Sequence, residues 1–383
     1  MNTKITELLK IEQPLLAFSH SEQVVAAVSR AGGMGVLGAG NCSVDDLGDK
    51  LTWLGKELGD VPFGVDLLLP GTYEAKAHGG LERDELVAQV PEEHRQFAQD
   101  LLTSKSVPEL AEGYSFGDVV DGGRMPIVGN HTYTARDTQP LIDACLASKA
   151  SLFANALGVP AAEVLDAFHA KGVPVAGLAG TARHGEKHRQ AGTDIVIAQG
   201  YEAGGHTGDI GSMVLIPDMV DAVDGLPVLA AGGIASGRQM AAAMVLGASG
   251  VWTGSVWLTT EEAETGPGVR EKFLHANASD TIRSRATTGK PARQLRSAWT
   301  QAWEAGEIKP LGMPHQGILY AEPQVRLFRA SDEGHAGATE LVTYFVGQVV
   351  GRLNEVRPAA DVCQEIVSEC EEILRAGATP AGR

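Results

Sequence analysis

The sequence lacks several features that would place the protein outside the cytoplasm. No run of about 18 apolar residues is present, so no membrane-spanning helix is expected. The N-terminal segment MNTKITELLKIEQ is polar and has no apolar signal-peptide core, so export is not expected. Basic residues are also few, because 31 lysines and arginines stand against 48 acidic residues. The net charge of −17 argues against nucleic acid or an anionic membrane as the main partner.

Cysteine is scarce and shows no disulfide pattern. Four cysteines occur in 383 residues, and no two of them form a CxxC pair. Cys363 and Cys370 are seven residues apart, which puts them on one face of a helix but too far along it for a disulfide. The simplest interpretation is a reduced, cytoplasmic chain, and no metal site is predicted.

Glycine, in contrast, is abundant, with 47 residues, and it marks the ends of strands. Three short buried strands are indicated at 194–199, 227–231 and 250–254, each running directly into glycine and separated by helical segments. This alternation is typical of parallel strands joined by helices. Glycine-containing loops after such strands let backbone N–H groups approach a phosphate. The N-terminus of a helix that follows the loop adds positive potential. The alternative is that a Gly-Gly pair forms only a tight turn.

The same alternation extends over the first 265 residues. Five further strands are predicted at 14–18, 33–37, 62–69, 150–156 and 173–179, which gives eight. A chain of this length with 44% hydrophobic residues is long enough for one (β/α)8 barrel plus additions. We therefore predict an α/β fold in which residues 1–265 form a TIM (β/α)8 barrel with parallel, right-handed connections.

Two segments do not fit a minimal barrel. Residues from about 70 to 137 exceed an ordinary connection and are predicted to form an insertion on the catalytic face. This insertion is either a lid that shapes the substrate site or a surface helical pair without a role there. The second addition, 266–383, is predicted to contain helices at 267–274 and 297–304, a loop-rich stretch at 306–322 and a long helical region within 338–374. Because these helices are too few to enclose a core of their own, the extension is expected to pack on the barrel.

Five segments in a fixed order carry a resemblance to a known family. They are AVSRAGGMGVLGAG, GVDLLLP (64–70), QGYEAGGHTG, PVLAAGGIASGRQMAAAMVLGASGVWTGSVWLTTEEA and TTGKPARQLR (287–296). Together they resemble the nitronate monooxygenases, whose relatives include flavin-dependent enoyl-acyl-carrier-protein reductases and NADH:quinone reductases. The resemblance covers most of the chain and implies an FMN-dependent oxidoreductase. FMN is expected rather than FAD, since no GxGxxG unit is present to seat an adenylate.

The resemblance leaves three alternatives for the activity. In the first, electrons pass from an anionic alkyl nitronate through FMN to O2. In the second, an FMN-dependent reductase or dehydrogenase acts on an enoyl thioester (CoA or ACP) or a quinone and uses NAD(P)H. In the third, the protein binds FMN without turnover and serves as a partner or sensor, which the intact GGH motif argues against. A homodimer is expected from base rates alone.

Two histidines are the catalytic candidates. His206 follows Gly204 and Gly205 at the end of the sixth predicted strand, where side chains on the catalytic face of a barrel converge. A neutral imidazole there can take a proton from carbon or donate one. The resemblance implies a histidine at this position or in the helix before it, which makes His184 the second candidate. His188, four residues further along that helix, is expected to be solvated.

The resemblance also implies the flavin contacts. Backbone amides at the ends of strands seven and eight would hold the phosphate, and a serine hydroxyl would add a donor (Gly232, Gly233, Gly254 and Ser255). Gln199 would reach the ring or the ribityl chain. The remaining expected contacts are Ala17, Phe18, Asp66, Gly204 and Gly205. Residues 290–293, KPAR, are expected to be structural or to contact the surroundings of the flavin.

The sequence departs from the family pattern in two places. Asp66 stands where the family often has an asparagine that touches the ring, and a carboxylate cannot donate a hydrogen bond unless it is protonated. The segment AFSHS (17–21) replaces a Pro-Met-Gly run near the flavin. Its His20 either lies beside the flavin, where it would alter which substrate fits, or points outward from a helix capped by Ser19 or Ser21.

Overall fold

Eight parallel strands close into a barrel in the structure, a computed structural model that describes residues 1–40, 42–69, 83–110 and 135–377. The barrel strands are β1 (Leu15–Ser19), β2 (Met34–Gly38), β3 (Gly64–Leu67), β4 (Leu152–Asn155), β5 (Val175–Ala179), β6 (Ile195–Gln199), β8 (Val228–Ala231) and β9 (Gly250–Thr253), while β7 (Gly205–His206) lies outside the barrel. β9 closes the barrel by pairing with β1, with Leu15 opposite Val251. The predicted TIM-barrel fold is confirmed, and the ends of all eight strands lie within two residues of the predicted ones.

Helices connect the barrel strands. α1 (Lys4–Leu9) precedes β1, and the connecting helices are α2 (Glu22–Arg30), α3 (Val44–Leu58), α4 (Arg83–Ala88), α5 (Glu92–Ser104), α6 (Ala135–Ala147), α7 (Ala162–Ala170), α8 (Ala182–Ala191), α9 (Ser212–Ala222) and α10 (Gly237–Val245). α3 shows why such segments are helical, because its buried leucines recur every three or four residues on one face. The Ser43 hydroxyl caps it by accepting the Asp46 N–H at 3.1 Å.

Apolar side chains fill the interior of the barrel. Leu16, Val36 and Ile197 are fully buried members of one cluster. Ile5 of α1 belongs to the same cluster and is also fully buried. The interior is therefore a packed core, so functional groups gather beyond the ends of the strands.

Beyond the barrel the chain continues with five helices. They are α11 (Pro267–His275), α12 (Ala298–Ala305), α13 (His315–Asp332), α14 (Ala336–Leu341) and α15 (Ala359–Arg375). The helices predicted at 267–274 and 297–304 are confirmed. Within the described ranges, no helix is long and apolar enough to cross a membrane.

One prediction for this region is wrong and another is confirmed. The stretch 306–322 is not loop-rich throughout, because α13 begins at His315. Its Gln316 is fully buried and donates to the Ala286 carbonyl at 2.9 Å, a distant contact that local sequence does not reveal. The long helical region predicted within 338–374 is confirmed as α15, which begins at Ala359 and follows the short helix α14.

A small three-stranded sheet that the sequence did not predict lies beside the barrel. β10 (Thr281–Ser284) and β11 (Ala292–Leu295) are antiparallel, and β11 also pairs with β7. This pairing places Ala292 opposite His206. The sheet therefore holds the backbone of His206 where the chain leaves β6.

The insertion and the extension are described in part. Residues 70–82 and 111–134 lie outside the described residues, whereas α4 and α5 pack against α13. Arg326 of α13 donates to the carbonyls of Val107 and Pro108 at 3.0 and 2.8 Å. The boundary near residue 265 and a role of the insertion as a lid stay predictions.

Candidate active site

A cavity of about 670 Å³ opens beyond the C-terminal ends of the barrel strands. Eleven of the predicted site residues line it: Phe18, His20, Asp66, Gln199, Gly204, Gly205, His206, Gly232, Gly233, Gly254 and Ser255. The structure thus brings together residues that are far apart in the sequence. At the join between β9 and β1, for example, the Thr253 hydroxyl donates to the Leu16 carbonyl, 237 residues away. Ala17 and His184 are not part of the lining.

Ala17 lies on the other side of β1 from the cavity. It is fully buried in a cluster that includes Val24 and Val28 of α2. Neighbouring side chains in a strand face opposite sides, so Phe18 faces the cavity and the Ala17 side chain does not. The expected contact of Ala17 with the cofactor stays a prediction, and its side chain is not placed to make it.

Gly232 and Gly233 form the backbone cradle that the sequence indicated. Both adopt left-handed backbone conformations, with φ of +91° and +73°, that favour glycine. Their N–H groups have no acceptor within the described part of the chain. A Cβ on Gly232 would also lie 3.1 Å from the backbone nitrogen of Ala203. Two unpaired donors in a glycine turn that leads to α10 fit a phosphate group.

A third glycine loop, missed by the sequence reasoning, completes the cradle. Gly347 lines the cavity, and its N–H donates to the Ser255 hydroxyl at 2.8 Å. A Cβ there would lie 2.7 Å from the Glu202 carbonyl oxygen. The Glu202 carboxylate in turn accepts the N–H of Ser212 at 3.0 Å, at the start of α9. These contacts fix the loops around Ser255 and leave its hydroxyl proton able to donate to a ligand.

His206 is held by its backbone and by its ring. Its Nε2 lies 2.9 Å from the Thr288 hydroxyl oxygen, and that hydroxyl donates to the Lys290 carbonyl at 3.0 Å. The threonine oxygen is therefore left to accept, which assigns the proton to Nε2 of His206. Arg293, almost fully buried, donates to the Tyr201 carbonyl at 3.0 and 3.1 Å. Residues 290–293 thus have the structural role that was one of the two expectations for them.

The two histidines of α8 are placed differently. His184 is exposed on the outer face of the helix. His188 is buried, with its Nε2 donating to the Leu178 carbonyl at 3.3 Å and its Nδ1 3.2 Å from the Thr193 hydroxyl. Burial lowers the pKa of His188. The expectation that His188 is solvated is wrong, and a catalytic role of His184 stays a prediction that the geometry does not favour.

Asp66 enters the cavity as a buried acid. Its side chain is 2% exposed, and its Oδ2 has no hydrogen-bond partner among the described residues. Because burial disfavours the charged form, the pKa of Asp66 is raised to about 8. At neutral pH the group is therefore a carboxylic acid that can donate a hydrogen bond, as the asparagine of the family pattern can.

His20 faces the cavity rather than the solvent. Its Nδ1–H donates to the Gly38 carbonyl at 2.7 Å, and the edge of its ring meets Phe18 with centroids 5.3 Å apart. Burial lowers the pKa of His20, so the imidazole is neutral near pH 7. Ser21 caps α2 by accepting the Val24 N–H at 3.5 Å. Of the two alternatives for this segment, the structure takes the helix cap by Ser21 from one and the inward-facing His20 from the other.

The sequence model of the nitronate monooxygenase family matches residues 2–369. The chain belongs to the nitronate monooxygenase family. A putative monooxygenase of Mycobacterium tuberculosis is 50% identical over 370 residues, which cover 96% of each chain. A probable nitronate monooxygenase of Staphylococcus saprophyticus is 30% identical over 394 residues, covering 98% of this chain and 99% of the relative.

Two solved structures share the fold over nearly the whole length. A nitroalkane oxidase from Streptomyces ansochromogenes superposes with a TM-score of 0.77 and 25% identity, covering 98% of this chain and 99% of that one. FabK from Thermotoga maritima gives a TM-score of 0.72 and 27% identity, with 99% of each chain covered. The nitronate monooxygenase family and these neighbours identify an enzyme of the flavin-dependent oxidoreductase type.

Several residues of this family member's cavity were missed from the sequence. Thr288, Phe345 and Gly347 all come from the C-terminal third, where only residues 290–293 had been given an expected role. The glycines in FVGQVVG, after an apolar run, resemble the strand-to-loop pattern of the barrel and were a usable signal for Gly347. Thr288 lies in the segment 287–296 that carries the family resemblance, but that pattern gave it no role. Phe345 has no such signal, because its position depends on β11.

Replacing Asp66 by asparagine should remove a pH dependence of stability. The unfolded carboxyl titrates near 3.8 and the folded one near 8, so between these values the folded state holds the extra proton and stability falls as pH rises. The loss approaches about 1.4 kcal/mol per pH unit within that window. Asp66→Asn should therefore raise the melting temperature more at pH 8 than at pH 4.5, as measured by calorimetry. An equal change at both pH values would contradict the protonated state.

Proposed function

We propose that this enzyme is an FMN-dependent nitronate monooxygenase that oxidises alkyl nitronates with O2. The observation that carries the proposal is the position of His206 at the wall of a cavity that the Gly232–Gly233 cradle also lines. The family match over residues 2–369 supports the same chemistry.

The residues at the cavity fit FMN. The amides of Gly232 and Gly233, with Gly254 and the Ser255 hydroxyl, would hold its single phosphate. Gln199 and the acid proton of Asp66 would meet polar atoms of the ring. When bound, FMN would take an electron pair from the substrate and pass it to O2, which is redox chemistry that the side chains cannot supply.

The protein's own groups would handle charge and protons. The ring of His206 is fixed by Thr288. It would either exchange a proton with the substrate or stabilise the negative charge of the nitronate. His20 presents a second neutral imidazole to the same cavity. Neutral groups around an anionic substrate avoid an unpaired buried charge before the substrate binds.

The alternative is an FMN-dependent reductase that takes electrons from NAD(P)H and acts on an enoyl thioester or a quinone. Two observations support this alternative. The chain is similar to FabK over 99% of its length, and AFSHS replaces the Pro-Met-Gly run. A nicotinamide donor is the feature that separates it from the leading proposal.

Anaerobic reduction of the yellow holoenzyme tests the two functions. The visible absorbance of oxidised flavin should bleach rapidly with propyl nitronate alone and slowly or not at all with NADH or NADPH. Bleaching by a nicotinamide alone would move the assignment to the reductase. A purified protein without flavin would overturn both.

A further inference from the structure

The cavity extends past His206 into a region that we call the apolar arm, defined by the side chains of Leu258, Val269, Phe328, Tyr344 and Phe345. These residues come from the turn after β9, from α11, from α13 and from the segment after α14. They are separate from the glycine loops that would hold the FMN phosphate. The apolar arm therefore forms a part of the cavity wall for which the sequence analysis predicted no ligand contact.

Ring contacts give the apolar arm a fixed shape. Phe328 stacks on Tyr344 with centroids 5.9 Å apart, and Phe273 meets Tyr344 edge-on at 5.8 Å. The Gly268 N–H of α11 donates to the Asp332 carboxylate of α13 at 3.0 Å. Because these contacts join α11, α13 and the segment after α14, this part of the arm is formed before any ligand enters.

Phe345 connects the apolar arm to the reacting end of the cavity. Its ring centroid lies 6.1 Å from that of His206. Its backbone bridges to Gln294 of β11, the strand that also pairs with His206. A substrate whose reacting atom meets His206 would therefore extend its substituent along Phe345.

The polar groups at the arm disfavour a charged tail. Burial, with the nearby Glu264 carboxylate, raises the pKa of Tyr344, so its phenol stays neutral. Glu264 and Asp332 also line the cavity. Lys50 also lines the cavity, but it pairs with both Glu22 and Glu264, so its positive charge is already compensated within this cluster. An anionic tail would meet carboxylates, whereas an alkyl or aryl tail would bury against aromatic rings.

We propose that the apolar arm binds an uncharged alkyl or aryl substituent of the substrate, so that the enzyme favours nitronates with an extended apolar chain. That the head group of the substrate is a nitronate rests on the proposed function. The tail specificity rests on the arm itself.

Straight-chain alkanoates from acetate to octanoate test the apolar arm on the holoenzyme. A carboxylate is a planar, two-oxygen anion like a nitronate but is not oxidised in this way, so binding can be followed as a perturbation of the flavin absorbance. The dissociation constant should fall by about fourfold per added methylene until the arm is full, since burying a methylene contributes about 0.8 kcal/mol. Suberate, with a second carboxylate at the far end, should bind at least tenfold more weakly than octanoate. Equal affinities from propanoate to octanoate, or equal affinities for suberate and octanoate, would overturn the proposal.

Two variants locate the effect. Val269→Phe should fill the arm and weaken octanoate binding about tenfold while leaving acetate binding unchanged. Phe328→Ala should reduce the gain per methylene to below twofold and keeps the test available if Val269→Phe does not fold. Met213→Ala removes an exposed apolar side chain of α9 outside the cavity and should keep the wild-type series.

The outcomes separate this inference from the proposed function. If nitronates leave the flavin oxidised but the alkanoate series holds, the apolar arm stands and the head-group chemistry fails. If nitronates bleach the flavin but their KM does not fall with chain length, the proposed function stands and the arm is wrong.

Discussion

Replacing His206 by asparagine should lower turnover with alkyl nitronates by about 10²–10⁴-fold, the usual contribution of a positioned acid or base. Asparagine retains a hydrogen-bond donor but cannot exchange a proton near neutral pH. Flavin occupancy should be unchanged, because the glycine loops that would hold FMN do not depend on this side chain. Steady-state oxygen consumption and the visible flavin spectrum measure the two quantities separately.

His184 provides the matched control for that variant. It is the other histidine that the sequence proposed as a base, but it is exposed on α8 and outside the cavity lining. His184→Asn should therefore keep turnover within twofold of the wild type. A loss confined to His184→Asn would reverse the assignment of the two histidines.

The barrel was predictable because its signals are local. β8 and β9 are short apolar runs that end in glycine, and the segments after such strands have helical spacing. β7, β10 and β11 are different, because their sequences GH, TIRS and ARQL contain polar or charged residues and no continuous apolar run. They exist because they pair with one another, and pairing between residues 206 and 292 is not a property of either segment.

The site was predictable where backbone geometry decides it. A left-handed turn such as Gly232–Gly233 requires glycine, so the sequence itself marks it. The helix face of α8 was harder, because Gly185 and His188 face inward and His184 does not. A buried histidine is decided by its partners, here Thr193 and Leu178, and the spacing of residues along one helix does not identify them.

The protonation state of Asp66 also could not be predicted from the sequence. The sequence identified Asp66 as a departure from asparagine but could not fix its protonation state. That state follows from full burial without a cation or donor beside Oδ2 among the described residues. Burial of this kind is a property of the assembled strands β2, β3 and β4 around the carboxyl group.

Gly232→Val should abolish flavin binding. A β-branched residue at a φ of +91° is strained by at least about 1–2 kcal/mol, and its Cβ would lie 3.1 Å from the Gly200 carbonyl oxygen and from Ala203. The turn must move to relieve these contacts, which displaces the N–H groups of Gly232 and Gly233. Losing two charge-assisted hydrogen bonds to a phosphate lowers affinity by on the order of a hundredfold or more. The purified variant should therefore be colourless, and FMN titration should give the reduced affinity.

Gly225→Val separates the loss of ligand contacts from backbone strain. Gly225 has a φ of +90°, almost the same as Gly232, but a Cβ there meets nothing within 4 Å, and it lies outside the cavity lining. Both variants should lose stability from the left-handed backbone, measured as a lower melting temperature without added flavin. Only Gly232→Val should lose the flavin, because only its amide faces the proposed phosphate site. If Gly225→Val were equally colourless, general destabilisation would explain both variants and the assignment of the cradle to phosphate would fail.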